Sequence, residues 1–458
     1  MAREPKASIS IHIWLRQLRG IVQNIRRSKL IGWLRRRGYR FLERSKLLAA
    51  VLVTVLVAVG IGIFAYVVLY GLLPPGKDPV QPKDLTQFAL TIAAGIGGVV
   101  ALVVAYRRQQ GIEQSRFVER FGAAASQLGH SDVAVRLAGV YAMAGVADES
   151  SRFERQQCID VLCGYLRLPY SPNLGASHQS ELQRKVPGRE GEESTQKYLY
   201  RQNDKEVRQT LVRVIAAHLR HGAQTSWSRC SFDFRGAVLE DADFSDVMFR
   251  GDLIAFDGAT FSGGVTRFDG ARFSGDVTRF GEAKFNARTT RFEYTTFSGF
   301  LSRFDGAAFT GGLTRFSGAT FNGDKTVFDG ATFSAGLAWF DGVTFSRGWT
   351  SFNGATFSGD VTRFDGATFS GGQTRFERAT FNAGLTRFQR VTFGPGRSWF
   401  WGANFDGPVD FSDPVKWDPA PRFDWDDDDV SVIRPRRPKP DNTFPDDWPP
   451  VPRPLWPE

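Results

Sequence analysis

The sequence predicts three structural parts in series: a two-helix transmembrane hairpin, a small all-α domain and a β-solenoid. Three observations carry that reading. Two long stretches without a charged residue lie near the N-terminus, at 47–73 and 85–106. Apolar residues then recur at three- and four-residue spacing within 107–227. From 244 to 405 phenylalanine returns with a strict twelve-residue period.

The first 46 residues hold 13 Lys/Arg against 2 Glu, which exceeds the +10 of the whole chain. The basicity therefore belongs to one segment and the remainder is nearly neutral. Within it Ile11, Trp14, Leu15, Leu18, Val22 and Ile25 fall at helical spacing among Arg16, Arg19, Arg26 and Arg27. This is the pattern of a basic amphipathic helix lying in the headgroup layer of an anionic leaflet. Nucleic-acid binding needs the same cations, but an apolar stretch beginning at Leu47 favours the bilayer, and no nucleic-acid partner is expected.

Leu47 to Leu73 is 27 residues and Leu85 to Tyr106 is 22, each long enough for a span of about 20 residues. The link between them, 74–84, holds two Lys, two Asp and several prolines, which suits an exposed turn. The positive-inside rule then places both termini in the cytoplasm of a bacterial cell, as a multi-pass protein of the inner membrane. A cleaved signal peptide fits poorly, because the basic region is too long and no small-x-small site closes the apolar run. Ala93, Gly97 and Ala101 form a small-residue stripe on the second span. It would let the first span, or a second copy of the chain, approach closely.

Between 107 and 227 the expectation is a cytoplasmic α-helical domain. Val133, Val135, Leu137, Val140, Tyr141, Met143 and Val146 mark one helix, and further helices are expected at 153–167 and 205–221. Chemistry-bearing residues are sparse. Cys158 and Cys163 lie five apart and His218 and His221 lie near Cys230, but no C-x-x-C knuckle accompanies them, so no metal site is expected. No phosphate loop, nucleophile elbow or dinucleotide fingerprint occurs either. Catalytic, cofactor-binding and metal-ligating residues are accordingly not assigned.

The ladder decides the fold of 228–411. Phenylalanine stands at fourteen positions from Phe244 to Phe400 in steps of twelve, and at fourteen more from Phe249 to Phe405. Phe244, Phe249, Phe256, Phe261, Phe268 and Phe273 open the two registers. Phe364, Phe369, Phe400 and Phe405 continue them to the end. The residue two before a second-register Phe is small or β-branched, as at Ala259, Ala271 and Ala355. In extended chain it shares a face with that Phe, so the pair points inward together. Glycine two residues after the first register, as at Gly258 and Gly330, supplies turns. The result is a solenoid with a column of stacked rings as its core.

Entering the ladder, the centres step by five through Phe234, Leu239, Phe244 and Phe249 in "FRGAVLEDADFSDVMF". This resembles the pentapeptide-repeat family, and the "FDGATF" units look like a Phe-centred variant of its repeat. Membrane-anchored bacterial members also carry a helical region similar to "AVRLAGVYAMAGVA" and "EVRQTLVRVIAAHL" here. The resemblance implies a right-handed β-helix with four sides per coil. Because the spacing alternates five and seven, a four-sided coil takes 24 residues and fourteen repeats give seven coils, about 34 Å. A flattened coil of 12 residues is the alternative, and the four-sided form is favoured.

Arginine precedes the first-register Phe at Arg267, Arg279, Arg291, Arg303, Arg315, Arg363, Arg375 and Arg387. These form a possible interaction stripe, answered by Asp257, Asp269, Asp305, Asp329, Asp341 and Asp365 as a solvated ladder. DNA-mimicking members of the family inhibit a nucleic-acid enzyme through strongly acidic surfaces. That alternative role is disfavoured here by 19 basic and 20 acidic residues across 228–411. The tail, 412–458, holds 12 Pro and four Trp and is expected to be disordered, with Phe423 and Trp425 available to cover the last coil. The function expected is a membrane-anchored, non-enzymatic scaffold without cofactor, its partners the lipid bilayer and an unidentified protein.

Overall fold

The computed structural model describes residues 82–172, 181–187, 193–199, 204–425 and 437–452. The basic segment and the apolar stretch 47–73 lie outside the described residues. The chain divides into two compact units between Arg116 and Phe117, a boundary that falls within helix α1 (Pro82–Leu128). The expected span at 85–106 is not a separate element. No proline follows Pro82 until well beyond Leu128, so no backbone donor is lost and one 47-residue helix runs through. Among the described residues no helix is long and apolar enough to cross a membrane. Ala93, Gly97 and Ala101 all fall on α1, and the side chains of the first two lie outside the description.

In the second unit α1 is followed by α2 (Val133–Glu149), α3 (Arg152–Arg167) and α4 (Asp204–Leu219). Each start has a local cause. Asp132 accepts a bond from the Ala134 N–H, and Ser151 with Glu154 forms a capping box. Val140, Met143, Ile159, Leu162, Val207, Leu211 and Ile215 are buried and hold the helices together. The region is not all-α, as the helical periodicity around it suggested. Strands β1 (Glu181–Pro187) and β2 (Glu193–Leu199) pair as an antiparallel hairpin between α3 and α4. "ELQRKVP" and "ESTQKYL" lack a helical apolar stripe, and Pro-Gly at 187–188 punctuates them.

The solenoid coil takes 24 residues. Thr278 pairs in parallel with Ile254 on one side and Ser302 on the other, 24 positions away in each direction. Four parallel sheets of seven or eight strands make about eight coils. The number exceeds the expected seven because Phe232–Asp233 and Val238–Glu240 add strands at the entry, while Lys416–Trp417 and Thr443–Phe444 add them at the exit. Around one coil a first long side (Val277–Arg279) leads to a short side (Lys284–Phe285). A second long side (Thr289–Arg291) then leads to a second short side (Thr296–Phe297).

All 28 ladder phenylalanines are buried, so the Phe excess is the core itself. Phe292 stacks 4.8 Å from both Phe268 and Phe316, with ring planes within 3°. Across the coil it meets Phe280 edge-to-face at 5.8 Å. Both geometries suit the ring quadrupole.

Both ends of the column are covered. At the entry α3 and α4 pack on the first coil, Trp227 is fully buried, and Gln156 bonds the backbone N–H and C=O of Ser231. At the exit the tail is ordered over 412–425 and 437–452, contrary to the expectation from its proline content. Phe411, Trp417, Phe423 and Trp425 continue the four ring columns, and Trp448 lies across them, 5.1 Å from Phe423. Burying Trp417 and Phe423 and packing Trp425 and Trp448, both half-buried, against the core offsets ordering entropy that a proline-rich tail alone would not recover.

Candidate interaction surface

The arginine stripe that is continuous in sequence becomes two stripes on opposite long sides. Arg279, Arg303 and Arg375 lie on the first, and Arg267, Arg291, Arg315, Arg363 and Arg387 on the second. Most of their charge is answered along the coil axis. Arg279 reaches Asp257 at 3.1 Å and Arg291 reaches Asp269 at 2.9 Å. Glu293 bridges Arg291 and Arg315, Asp305 takes Arg303, and Asp365 bridges Arg363 and Arg387. Arg267 lies near Asp243 and Asp269 and favours their charged forms. Burial, set against Arg291, raises the Asp269 carboxyl; Asp341 is raised in the same way against Arg363. Arg375 bonds Gln373 and lies between Trp349 and Trp399, 5.5 and 5.4 Å from their centroids. Trp339 fills a rung between Arg315 and Arg363. The stripes are thus largely charge-paired ladders rather than an open anion site, although Nε of Arg291, Arg315, Arg363 and Arg375 is buried without a hydrogen bond.

The polar groups of the helical region are also spent on structure. Arg208, almost fully buried, donates to Asp204 and to the carbonyls of Leu166 and Leu168 at 2.7–2.8 Å. Tyr165 bonds the other Asp204 oxygen at 2.6 Å. Tyr170 stacks under Arg208 and donates to Glu240 of the first coil, and Lys205 pairs with the same Glu240. The cavity among these groups, about 10 Å³, has room for one water. Cys158, Cys163 and Cys230 are free and buried. Burial pushes the Cys158 thiol up to about 11 and that of Cys163 to about 12, so both stay neutral and poorly nucleophilic. Among the described residues no group of three or more His, Cys, Asp or Glu is placed to hold a metal.

The side chains that stand out from the repeat are Tyr294 and Phe300, 75% and 61% exposed. They flank one short side, Thr296–Phe297, from its two corners. Tyr294 takes a left-handed backbone, φ 56°, at a position where nine other coil corners use glycine, and its ring lies over Gly318. Phe300 stands where the coils below and above carry Asp276 and Asp324. Sequence reasoning passed over both because it counted what the repeat keeps. Their signal was departure from it, an aromatic where the period calls for Gly or Asp.

The fold and surface define a β-solenoid repeat protein with a phenylalanine core, closed at both ends. Compared with protein-family models, curated proteins and solved structures, the chain finds no match.

Proposed function

We propose that the chain is a membrane-anchored, non-enzymatic scaffold of the pentapeptide-repeat type that presents its solenoid to a protein partner. The observation that carries this is the pair Tyr294 and Phe300, exposed on an otherwise largely charge-paired, rigid frame. Interface hot spots favour exposed tyrosine and other aromatics in a rigid setting, where little side-chain entropy is lost on docking. Tyr294 keeps its ring 75% exposed although it sits at a corner with positive φ, and its contact is with the backbone of Gly318. The four-sided coil supports the pentapeptide-type assignment, and the right-handed winding is what that resemblance implies. The anchor is a reading of the sequence alone: the charge-free stretch 47–73 behind a basic segment and the charge-free stretch 85–106, which lies within α1, are taken as two crossings that leave both termini in the cytoplasm of a bacterial cell.

The test is photo-crosslinking from Thr296 in the full chain in native membranes. One defined adduct is expected with the wild type, and its loss in Tyr294→Ala/Phe300→Ala. An adduct equally strong in the double variant, or none in the wild type, would remove the scaffold reading. Export-only and cytoplasm-only reporters at the C-terminus test the topology; export-reporter activity would overturn it.

A further inference from the structure

The geometry points to strand β2 as a self-association edge, pairing antiparallel with β2 of a second copy to make a four-stranded sheet. The hairpin has seven paired positions, from Glu181↔Leu199 to Pro187↔Glu193, and among the described residues its sheet has two strands. A lone two-stranded sheet is marginal in water, and a third strand or a packing surface is what makes it stable. Gln183, Arg184 and Lys185 on β1 and all of Ser194 to Tyr198 on β2 are exposed. Among the described residues neither outer edge of the hairpin pairs with a further strand.

The edges are not equivalent. The outer edge of β1 ends in Pro187, which has no N–H to donate, and carries Arg184 and Lys185 side by side, the usual means of blunting an edge. Strand β2 contains no proline, and over its exposed length it carries Ser194, Thr195, Gln196, Lys197 and Tyr198. Its one cation in that run is already answered within the hairpin, since Lys197 Nζ lies 2.6 Å from Glu181. The open edge is thus polar, uncharged in effect and built from strand-compatible residues.

A second copy fits it by symmetry. With Gln196 on the two-fold axis, Gln196 faces Gln196 of the second copy, Thr195 faces its Lys197, and Ser194 faces its Tyr198. No like charges oppose one another, and Tyr198, 43% exposed and bonded to Gln196 at 2.6 Å, gains a small neighbour to pack on. The contact is isologous and closes at two copies, the commonest form of homo-oligomer. It is independent of the scaffold reading, because it uses neither Tyr294 nor Phe300.

The test uses charge swapping at the axis in the full chain in detergent. Wild type is expected to scatter light as a dimer. Gln196→Glu and Gln196→Lys each place like charges face to face and are expected to run as monomers, whereas an equimolar mixture of the two recovers the dimer. Mild oxidation of Gln196→Cys should link two chains, since Cβ atoms directly opposed across the axis approach to about 4.5 Å, the upper end of what a disulfide spans. Gln183→Cys on the guarded edge should not link. A monomeric wild type, dimers that persist in both single-charge variants, or equal linking from positions 183 and 196 would overturn the proposal.

Discussion

Each solenoid coil turns its corners in two ways, and glycine serves a different purpose at each. After a first-register Phe the chain makes a hydrogen-bonded turn, as from Ala259 N–H to Phe256 C=O at 3.0 Å, with Gly258 at φ 62°. A positive φ in the third position is the mark of a type II turn. The space around it is open: a Cβ on Gly258 or Gly330 would meet nothing within 4 Å. After a second-register Phe, as at Gly275 and Gly299, the corner needs no positive φ but has no room. A Cβ on Gly275 would stand 1.8 Å from the Gly251 carbonyl oxygen, and one on Gly299 would stand 2.0 Å from that of Gly275. One corner uses glycine for conformation and the other for closeness.

The difference decides where the repeat can vary. Asp246, Glu282, Tyr294, Arg378 and Arg390 all occupy the open corner with positive φ. A side chain there costs roughly 1–2 kcal/mol of backbone strain but projects freely. At the close corner a Cβ on Gly251, Gly275, Gly299 or Gly323, one column on the second short side, would meet the backbone of the coil below, whereas the same corner on the first short side accommodates Ala287, Ala335 and Ala383. Large side chains such as Tyr294 recur at the open corner, while the close corner is Gly or Ala at twelve of its fourteen positions, Arg347 and Pro395 excepted.

The largest effect is therefore expected from Gly299→Ala. The contact is backbone on Cβ, in a column where the neighbouring coils also carry glycine at this corner, so relaxation is limited and the cost is expected toward the upper end of about 1–3 kcal/mol. Thermal unfolding of the full chain, followed by strand-region circular dichroism, should show a clear fall in midpoint. An unchanged midpoint would mean that the corner is looser than its 2.0 Å clearance implies.

Much of this was legible in the sequence and one part was not. The twelve-residue phase of Phe gave the solenoid, and Ala259 or Ala271 two residues before a ring gave the inward direction, because alternation in extended chain is strict. It could not separate 12 from 24 residues per coil, since even and odd repeats carry the same residues; the ladder from Ile254 to Thr278 to Ser302 decides it. Composition misled at the tail. Its prolines suggested disorder, whereas Trp417, Phe423, Trp425 and Trp448 cover rings that would otherwise face water. The arginine stripe was legible as a ladder, but its division between two faces follows only from the coil length. The close-corner glycines were invisible because closeness between coils has no local pattern.

A smaller effect is expected from Gly330→Ala at the open corner. The new Cβ would be unobstructed, so the left-handed conformation costs about 1–2 kcal/mol, offset in part by roughly 0.4–1 kcal/mol from the less free unfolded chain. The same unfolding measurement should place its midpoint between those of wild type and Gly299→Ala. A loss as large as that of Gly299→Ala would erase the distinction between the two corners.

The smallest effect has the opposite sign and links the comparison to function. Tyr294→Gly relieves strain of roughly 1–2 kcal/mol, while glycine costs about 0.5–1 kcal/mol through the freer unfolded chain. The ring is 75% exposed and rests on Gly318, so little packing is lost. The balance is a gain of about 0.5–1 kcal/mol, read as a modest rise in unfolding midpoint. If Tyr294 were there for the fold, the variant would instead be less stable. If it is there for a partner, the variant is more stable and loses the adduct formed from Thr296 in membranes. Higher stability with an undiminished adduct would leave the strain without the function proposed for it.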